Sequence, residues 1–271
     1  MREISGSRSC LEFAIFTIVW QSLQVVKWER KMTKLSRREL ALMGTAGVAV
    51  AAMASSGIAV ASDLKGPGRT SLAPQQALAR LREGNGRFVR DESPSSDIST
   101  KRRLALAQGQ GPFAALVGCA DSRVGPEHLF GAGLGELFIV RTAGNYVDHA
   151  GFGSLAYAVA ELGVPLIVVM GHDRCGAVAA ATAVVNDNLQ LPAALSAMVE
   201  PILPAVLSAR ASLKEGENLL DASIRANVRR VVNKLRNHSD PIIGDPIKAG
   251  KVMVVGGIYD LDTGAVDFFD Q

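Results

Sequence analysis

Residues 113–123 read FAALVGCADSR and residues 166–176 read LIVVMGHDRCG, and these two stretches decide the fold. In each, five consecutive apolar residues run into a polar turn that carries cysteine, and the second turn carries a histidine as well. A half-exposed strand alternates apolar with polar residues, so short runs that are apolar throughout predict strands covered on both faces. Such strands belong to a mainly parallel α/β sheet with helical connections. In sheets of this kind the functional groups collect beyond the carboxyl ends of the strands. Cys119, ending the first run, and His172 and Cys175, ending the second, therefore fall on one edge.

Outward from these stretches, Leu137–Val140 and Val252–Ile258 are further runs of strand length. Asp262-Thr263-Gly264 is a turn signal before Ala265–Phe269, which predicts a final antiparallel hairpin. Within Thr70–Asp91, Leu72, Ala73, Ala77, Leu78, Leu81 and Phe88 recur at near-helical spacing behind Ser71 and Pro74, predicting an amphipathic helix. Further helices are predicted at Gly151–Leu162, Ala177–Val185, Ala193–Leu213 and Leu219–Arg236. The fold class is thus α/β, a mainly parallel central sheet with an antiparallel C-terminal edge strand, flanked by helices. No internal repeat occurs, and no low-complexity linker follows Gly66-Pro67-Gly68.

Two thiolates and an imidazole suit Zn²⁺, and three protein ligands leave a fourth tetrahedral position for water, the mark of a catalytic rather than a structural site. Alone, a cysteine after a strand is ordinarily a small buried hydrophobe, and His-x-x-Cys is a weak pattern. Their meeting on one sheet edge makes Cys119, His172 and Cys175 the metal ligands, for one Zn²⁺ per chain. His128, His149 and His238 lack supporting spacing. The third cysteine, Cys10, lies in a segment read below as absent from the mature protein, so no disulfide framework is expected.

The chain has 271 residues, 48% of them apolar, enough for one sizeable core. Its net charge of +3 resides in the first 61 residues, which hold 8 Lys+Arg and 4 Asp+Glu and leave 21 against 22 beyond. No basic stripe or nucleic-acid motif is apparent, and no nucleic-acid partner is expected. From Met32, MTKLSRRELALMGTAGVAVAAMASSGIAVAS pairs Arg37 and Arg38 with a weakly apolar Ala/Gly/Val stretch ending in Ala59-Val60-Ala61. This resembles a twin-arginine export signal over residues 32–61, cleaved after Ala61. The alternative is a membrane-spanning helix over Leu40–Ala61, marginally apolar for lipid. Residues 1–31 fit neither and read as a non-native extension upstream of a start at Met32. The catalytic domain is then 62–271 and its location periplasmic.

Cys119-Ala120-Asp121-Ser122-Arg123 and Gly171-His172-Asp173-Arg174-Cys175-Gly176 resemble the two signatures of β-class carbonic anhydrases. FIVRTAGN, GSLAYAVAELGVPLIVVMGH and the upstream Gly84-Asn85-Gly86-Arg87-Phe88 resemble the family too, so that the likeness runs from about Ser71 to the C-terminus. It implies reversible hydration of carbon dioxide to bicarbonate and a proton by a zinc-bound hydroxide. By the same resemblance Asp121 accepts a hydrogen bond from that hydroxide and Arg123 holds Asp121. Relatives that close the site through this aspartate, with a bicarbonate inhibition site, carry tryptophan three residues before the first cysteine, where Leu116 stands here. The plant-like, open type has glutamine, phenylalanine and tyrosine where this chain has Gln110, Phe138 and Tyr157. With Val124, the two rings are expected to form an apolar slot for carbon dioxide, and Gly176 to permit close approach to the site. Members are dimers or larger, so a homodimer or homotetramer is expected, with a helix like Pro74–Val89 crossing onto the partner. Carbonyl sulfide or carbon disulfide hydrolysis on the same fold is an alternative. So is non-catalytic bicarbonate or zinc binding, which the presence of Asp121 and Arg123 disfavours.

Overall fold

In the computed structural model, residues 68–93 and 96–270 are described. The proposed leader, its arginine pair and the upstream extension lie outside them.

The two apolar runs are strands β1 (Ala114–Cys119) and β3 (Leu166–His172), and every residue of both is buried. Side chains along a strand alternate between faces, and the core divides accordingly. Ala115, Val117, Ile167 and Val169 join one cluster, while Ala114, Leu116, Val168 and Met170 join the other. With β2 (Leu137–Thr142), β4 (Met253–Tyr259) and β5 (Val266–Phe269), the sheet has the order β2-β1-β3-β4-β5. All pairings are parallel except the last. Gly264, at φ +75, makes the turn into β5, so the expected antiparallel edge is present.

Helix α1 (Pro74–Val89) covers one face with Ala77, Leu78 and Leu81, all buried beside Phe113, Leu129 and Phe130. These residues dock the helix on the sheet of its own chain. Asn85 reaches from α1 to the hairpin, donating to the Gly264 carbonyl at 2.8 Å and accepting from the Val266 amide at 2.9 Å. Beside it, α1 passes so near Phe130 that a Cβ on Gly84 would lie 2.0 Å from the Phe130 carbonyl oxygen.

Two other short helices, α2 (Thr100–Leu106) and α3 (Pro126–Leu129), had no apolar period to betray them. Ser99 caps α2 by accepting from Arg102, and Pro126 opens α3. The opposite face is covered by α4 (His149–Ala160) through Leu155 and Ala158, and by α8 (Leu219–Arg236) through Val228, Val231 and Leu235. Between them run α5 (Gly176–Asp187), α6 (Ala193–Val199) and α7 (Leu203–Ser212). The single helix expected over Ala193–Leu213 is divided by a 3₁₀ turn at Glu200–Ile202. Pro201 and Pro204 fall there, and neither has an amide to continue the hydrogen-bond ladder. A last helix, α9 (Pro241–Lys248), is capped by Asp240 and precedes β4.

Candidate metal centre

β1 ends on Cys119 and β3 on His172, and neighbouring parallel strands bring both ends to the same edge. Cys175 lies three residues further, at the N-cap of α5. The turn between them reverses through Arg174, whose φ of +51 is uncommon for a residue with a side chain. Arg174 is held by Asp173 at 2.6 Å and by Asp262 at 2.8 Å. Asp173 is fixed in turn, its amide donating to Tyr259 and its carboxylate accepting from the Leu261 amide. The β4–β5 hairpin thus sets the path from one ligand to the next.

The ligand atoms of Cys119, His172 and Cys175 all lie within 4.8 Å of one another, and the three residues are buried. The two sulfurs are 3.9 Å apart. Two sulfurs on a tetrahedral zinc with bonds of about 2.3 Å are separated by about 3.8 Å, so the pair already has the right span. His172 Nδ1 is 2.8 Å from the Asp173 carbonyl oxygen, which can only accept, so Nδ1 carries the proton and Nε2 presents its lone pair. That Nε2 is buried with no partner among the described residues. An orphaned imidazole nitrogen facing two thiols is the donor set for Zn²⁺, and the residues fit the ion.

Without a metal the two thiols perturb one another in opposite directions. The hydrogen bond from Cys175 pulls the Cys119 thiol well below its usual range against the cost of burial, with His172 and the Gly144 amide assisting. The same bond, together with burial, pushes Cys175 up. Burial opposes charge on His172, but the facing Cys119 thiolate outweighs it and raises the imidazole.

Asp121 and Arg123 follow β1 immediately. The Asp121 carboxylate accepts from the Arg123 amide and Nε at 2.9 Å each and from Nη2 at 2.7 Å. That fork holds its carboxyl far below the usual range. Its Oδ2 lies 3.8 Å from His172 Nε2, close to the ligand cluster but not within hydrogen-bonding distance of the ring. Val124 is buried at the end of the same turn, its amide donating to the Asp121 carbonyl. The rings of Phe138 and Tyr157 pair at 6.4 Å, with Tyr157 49% exposed. Gln110 is exposed on the segment before β1. At Gly176 a Cβ would meet nothing within 4 Å, so the glycine leaves open space beside Cys175 and relieves no crowding within the chain.

Three residues at the site escaped the sequence reading. Arg141, near the end of β2, donates to the carbonyls of Cys119 at 2.8 Å and Asp121 at 2.7 Å, pinning the turn that carries both. Gly144 donates its amide to Cys119 Sγ, and Asn227 on α8 donates to the Gly144 carbonyl. Arg141 and Gly144 lie inside the quoted segment FIVRTAGN. Asn227 was visible only as an amide on the apolar face of an amphipathic helix. His128 and His149 are exposed, and His238 stacks on Phe152, so none joins the cluster.

A groove of about 1050 Å³ between α7 and α8 contains none of the metal-ligating residues. Two of its basic side chains are already engaged, Arg225 with Asp267 and Arg229 with Asp270, both over the Phe269 ring. The chemistry therefore lies at the buried cluster on the sheet edge.

The family model described as carbonic anhydrase matches residues 114–266. Among curated proteins, the chain is 43% identical over 191 residues to carbonic anhydrase 2 of Mycobacterium tuberculosis, covering 70% of this chain and 90% of that one. It is 39% identical to a carbonic anhydrase of Mycolicibacterium smegmatis, covering 72% and 92%. Among solved structures, the β-carbonic anhydrase CcaA superposes with a TM-score of 0.55 at 28% identity, over 71% of this chain and 87% of that one. One of two tetrameric β-carbonic anhydrases from Sordaria macrospora does so with a TM-score of 0.54 at 28% identity, over 61% and 84%.

Proposed function

From the premise that this chain belongs to the β-class carbonic anhydrase family, we propose that it is an exported, oligomeric enzyme working with its zinc site in the open form. Its reaction is the zinc-dependent, reversible hydration of carbon dioxide to bicarbonate and a proton. One observation carries the reading: the buried Cys119, His172 and Cys175 cluster, with an unpartnered His172 Nε2, sits beside a carboxylate fixed by Arg123.

Zn²⁺ held by Cys119, His172 and Cys175 would lower the pKa of a bound water toward neutrality and so supply the nucleophile near neutral pH. Asp121 remains ionised across the working range because Arg123 binds both of its oxygens. It acts as the acceptor that orients the nucleophile's proton away from the substrate carbon. Arg123, half-exposed, keeps that acceptor in place beside the three-ligand cluster. Support for the open form is that Asp121 is engaged by Arg123 and stands outside the three-ligand cluster. Phe138, Tyr157 and Val124 are assigned to the apolar slot for carbon dioxide, Gln110 to an amide contact with substrate, and Gly176 to the room beside it.

Assembly as a homodimer or homotetramer is supported by the outer position of β2 in the sheet and by Leu104, Leu134 and Tyr157, large side chains left exposed. Export to the periplasm rests on Arg37, Arg38 and the Ala59-Val60-Ala61 site in the sequence. Stopped-flow carbon dioxide hydration alongside metal analysis tests the enzyme. About one zinc per chain with turnover is expected, and stoichiometric zinc without hydration defeats it. The same assay with carbonyl sulfide separates the two substrate readings.

A further inference from the structure

We propose that Asn227 is a positioning residue for the metal ligand Cys119, acting from α8 through Gly144; the inference rests on the metal-site reading above. The chain leaves β2 at Thr142 through a tight turn in which the Asn145 amide returns to the Thr142 carbonyl. Gly144 occupies the third position of that turn with φ +74, as a type II geometry demands. In this conformation its amide points at Cys119 Sγ, 3.3 Å away.

Nothing in a four-residue turn obliges that amide to stay there, and two distant groups fix it. Ile202, in the 3₁₀ turn, closes over Gly144 so tightly that a Cβ there would lie 2.5 Å from its Cδ1. Asn227, 83 residues along the chain and 1% exposed, donates from Nδ2 to the Gly144 carbonyl at 2.8 Å. Burying an amide on the apolar face of α8, among Ile224, Val228 and Val231, costs free energy unless it is hydrogen-bonded. The bond to Gly144 offsets that cost. It also locks the carbonyl side of Gly144, so the preceding amide is presented to sulfur rather than to solvent.

An N–H bond to a thiolate lowers the energy of the sulfur lone pair, and it favours the deprotonated form that binds a metal and holds that sulfur in position. Groups behind the ligands commonly change metal affinity by about 10- to 100-fold when removed. Asn227 is therefore assigned the task of holding one of two thiolates in position and favouring its deprotonated form.

The test uses the full protein loaded with Co²⁺ or ¹¹³Cd²⁺. In the unmodified ¹¹³Cd²⁺ form the Gly144 amide proton should show scalar coupling to the metal through Cys119 Sγ; absence of that coupling overturns the proposal whether or not any variant folds. Asn227→Leu removes the donor at similar volume. Its Co²⁺ form should move the sulfur-to-cobalt charge-transfer band to lower energy, and its zinc affinity by chelator competition should fall by about tenfold or more. Asn227→Ser supplies a second variant should the first fail to melt cooperatively. Ser223→Ala, a buried change one turn earlier whose hydroxyl has no partner among the described residues, should leave band and affinity unchanged. A folded Asn227 variant with an unaltered band and zinc affinity within twofold of the parent overturns the proposal, as does the same shift in Ser223→Ala. If the parent takes up no Cd²⁺ on Cys119 and Cys175, the metal-site reading itself falls and this link with it.

Discussion

Arg123 gives three hydrogen bonds to Asp121, from its amide, Nε and Nη2, and so occupies both carboxylate oxygens within two residues of chain. A side chain held from two directions keeps one orientation, and this one is kept beside the ligand cluster while remaining free of it. Asp121→Asn should reduce carbon dioxide hydration by about 10² to 10⁴-fold, the range for loss of a positioned proton acceptor. Zinc content should stay near one per chain, and loss of zinc in this variant would make Asp121 a ligand.

The same pair sets a pH dependence. A carboxyl depressed by Arg123 contributes stability that is fully present above the ordinary value of about 3.9 and is lost as pH falls through the lower folded value. The difference in urea stability between the parent and Arg123→Ala should therefore be constant from pH 5 to 9 and shrink below pH 4. The pair is partly exposed, which keeps that difference small. Hydration by the parent should climb through mildly alkaline pH, since two thiolates donate more charge to zinc than histidines do. Asp121→Asn should lower that whole profile, because Asp121 does not titrate in this range. A new limb between pH 5 and 9 that vanishes in the variant would contradict this.

Gly84→Ala and Gly176→Ala should behave oppositely. A Cβ on Gly84 meets the Phe130 backbone at 2.0 Å, and backbone cannot swing aside, so about 1 to 3 kcal/mol of destabilisation is expected in chemical denaturation. At Gly176 the added methyl meets nothing, and the melting temperature should hold. Lower activity in the folded Gly176→Ala enzyme would show that substrate uses the space; full activity would remove Gly176 from the pocket.

Removing zinc should expose a redox weakness. Two buried thiols 3.9 Å apart, one of them with a depressed pKa, are poised for oxidation once no metal holds them. Apo-protein kept in an oxidising buffer should lose the thiol titre of Cys119 and Cys175 and then refuse zinc, while the zinc form keeps both. An apo-protein that retains both thiols in that buffer would contradict this.

Both tryptophans, Trp20 and Trp28, precede the proposed cleavage after Ala61. Mature protein from its native host should therefore show tyrosine but no tryptophan fluorescence, and its N-terminal sequence should begin at Ser62. Tryptophan emission from that material would sink the processing scheme.

The sequence by itself determined the strands, because β1 and β3 are buried on both faces and only unbroken apolar runs can serve there. It also determined the ligands, since Cys119 and His172 each end a strand and Cys175 follows three residues after His172, and the Asp121–Arg123 pair, whose members are two residues apart. The division of Ala193–Leu213 was missed, although Pro201 and Pro204 stood in the sequence, because the apolar period masked them. Tertiary structure alone decided the sheet order, the docking of α1 through Asn85, and the shell behind the metal. Arg141 touches Cys119 from the neighbouring strand, and Asn227 reaches Gly144 across 83 residues. A strand or a turn is written in the spacing of adjacent residues, which share one local period. A hydrogen bond between distant segments leaves no such period, and it exists only once the sheet has fixed which chain ends meet.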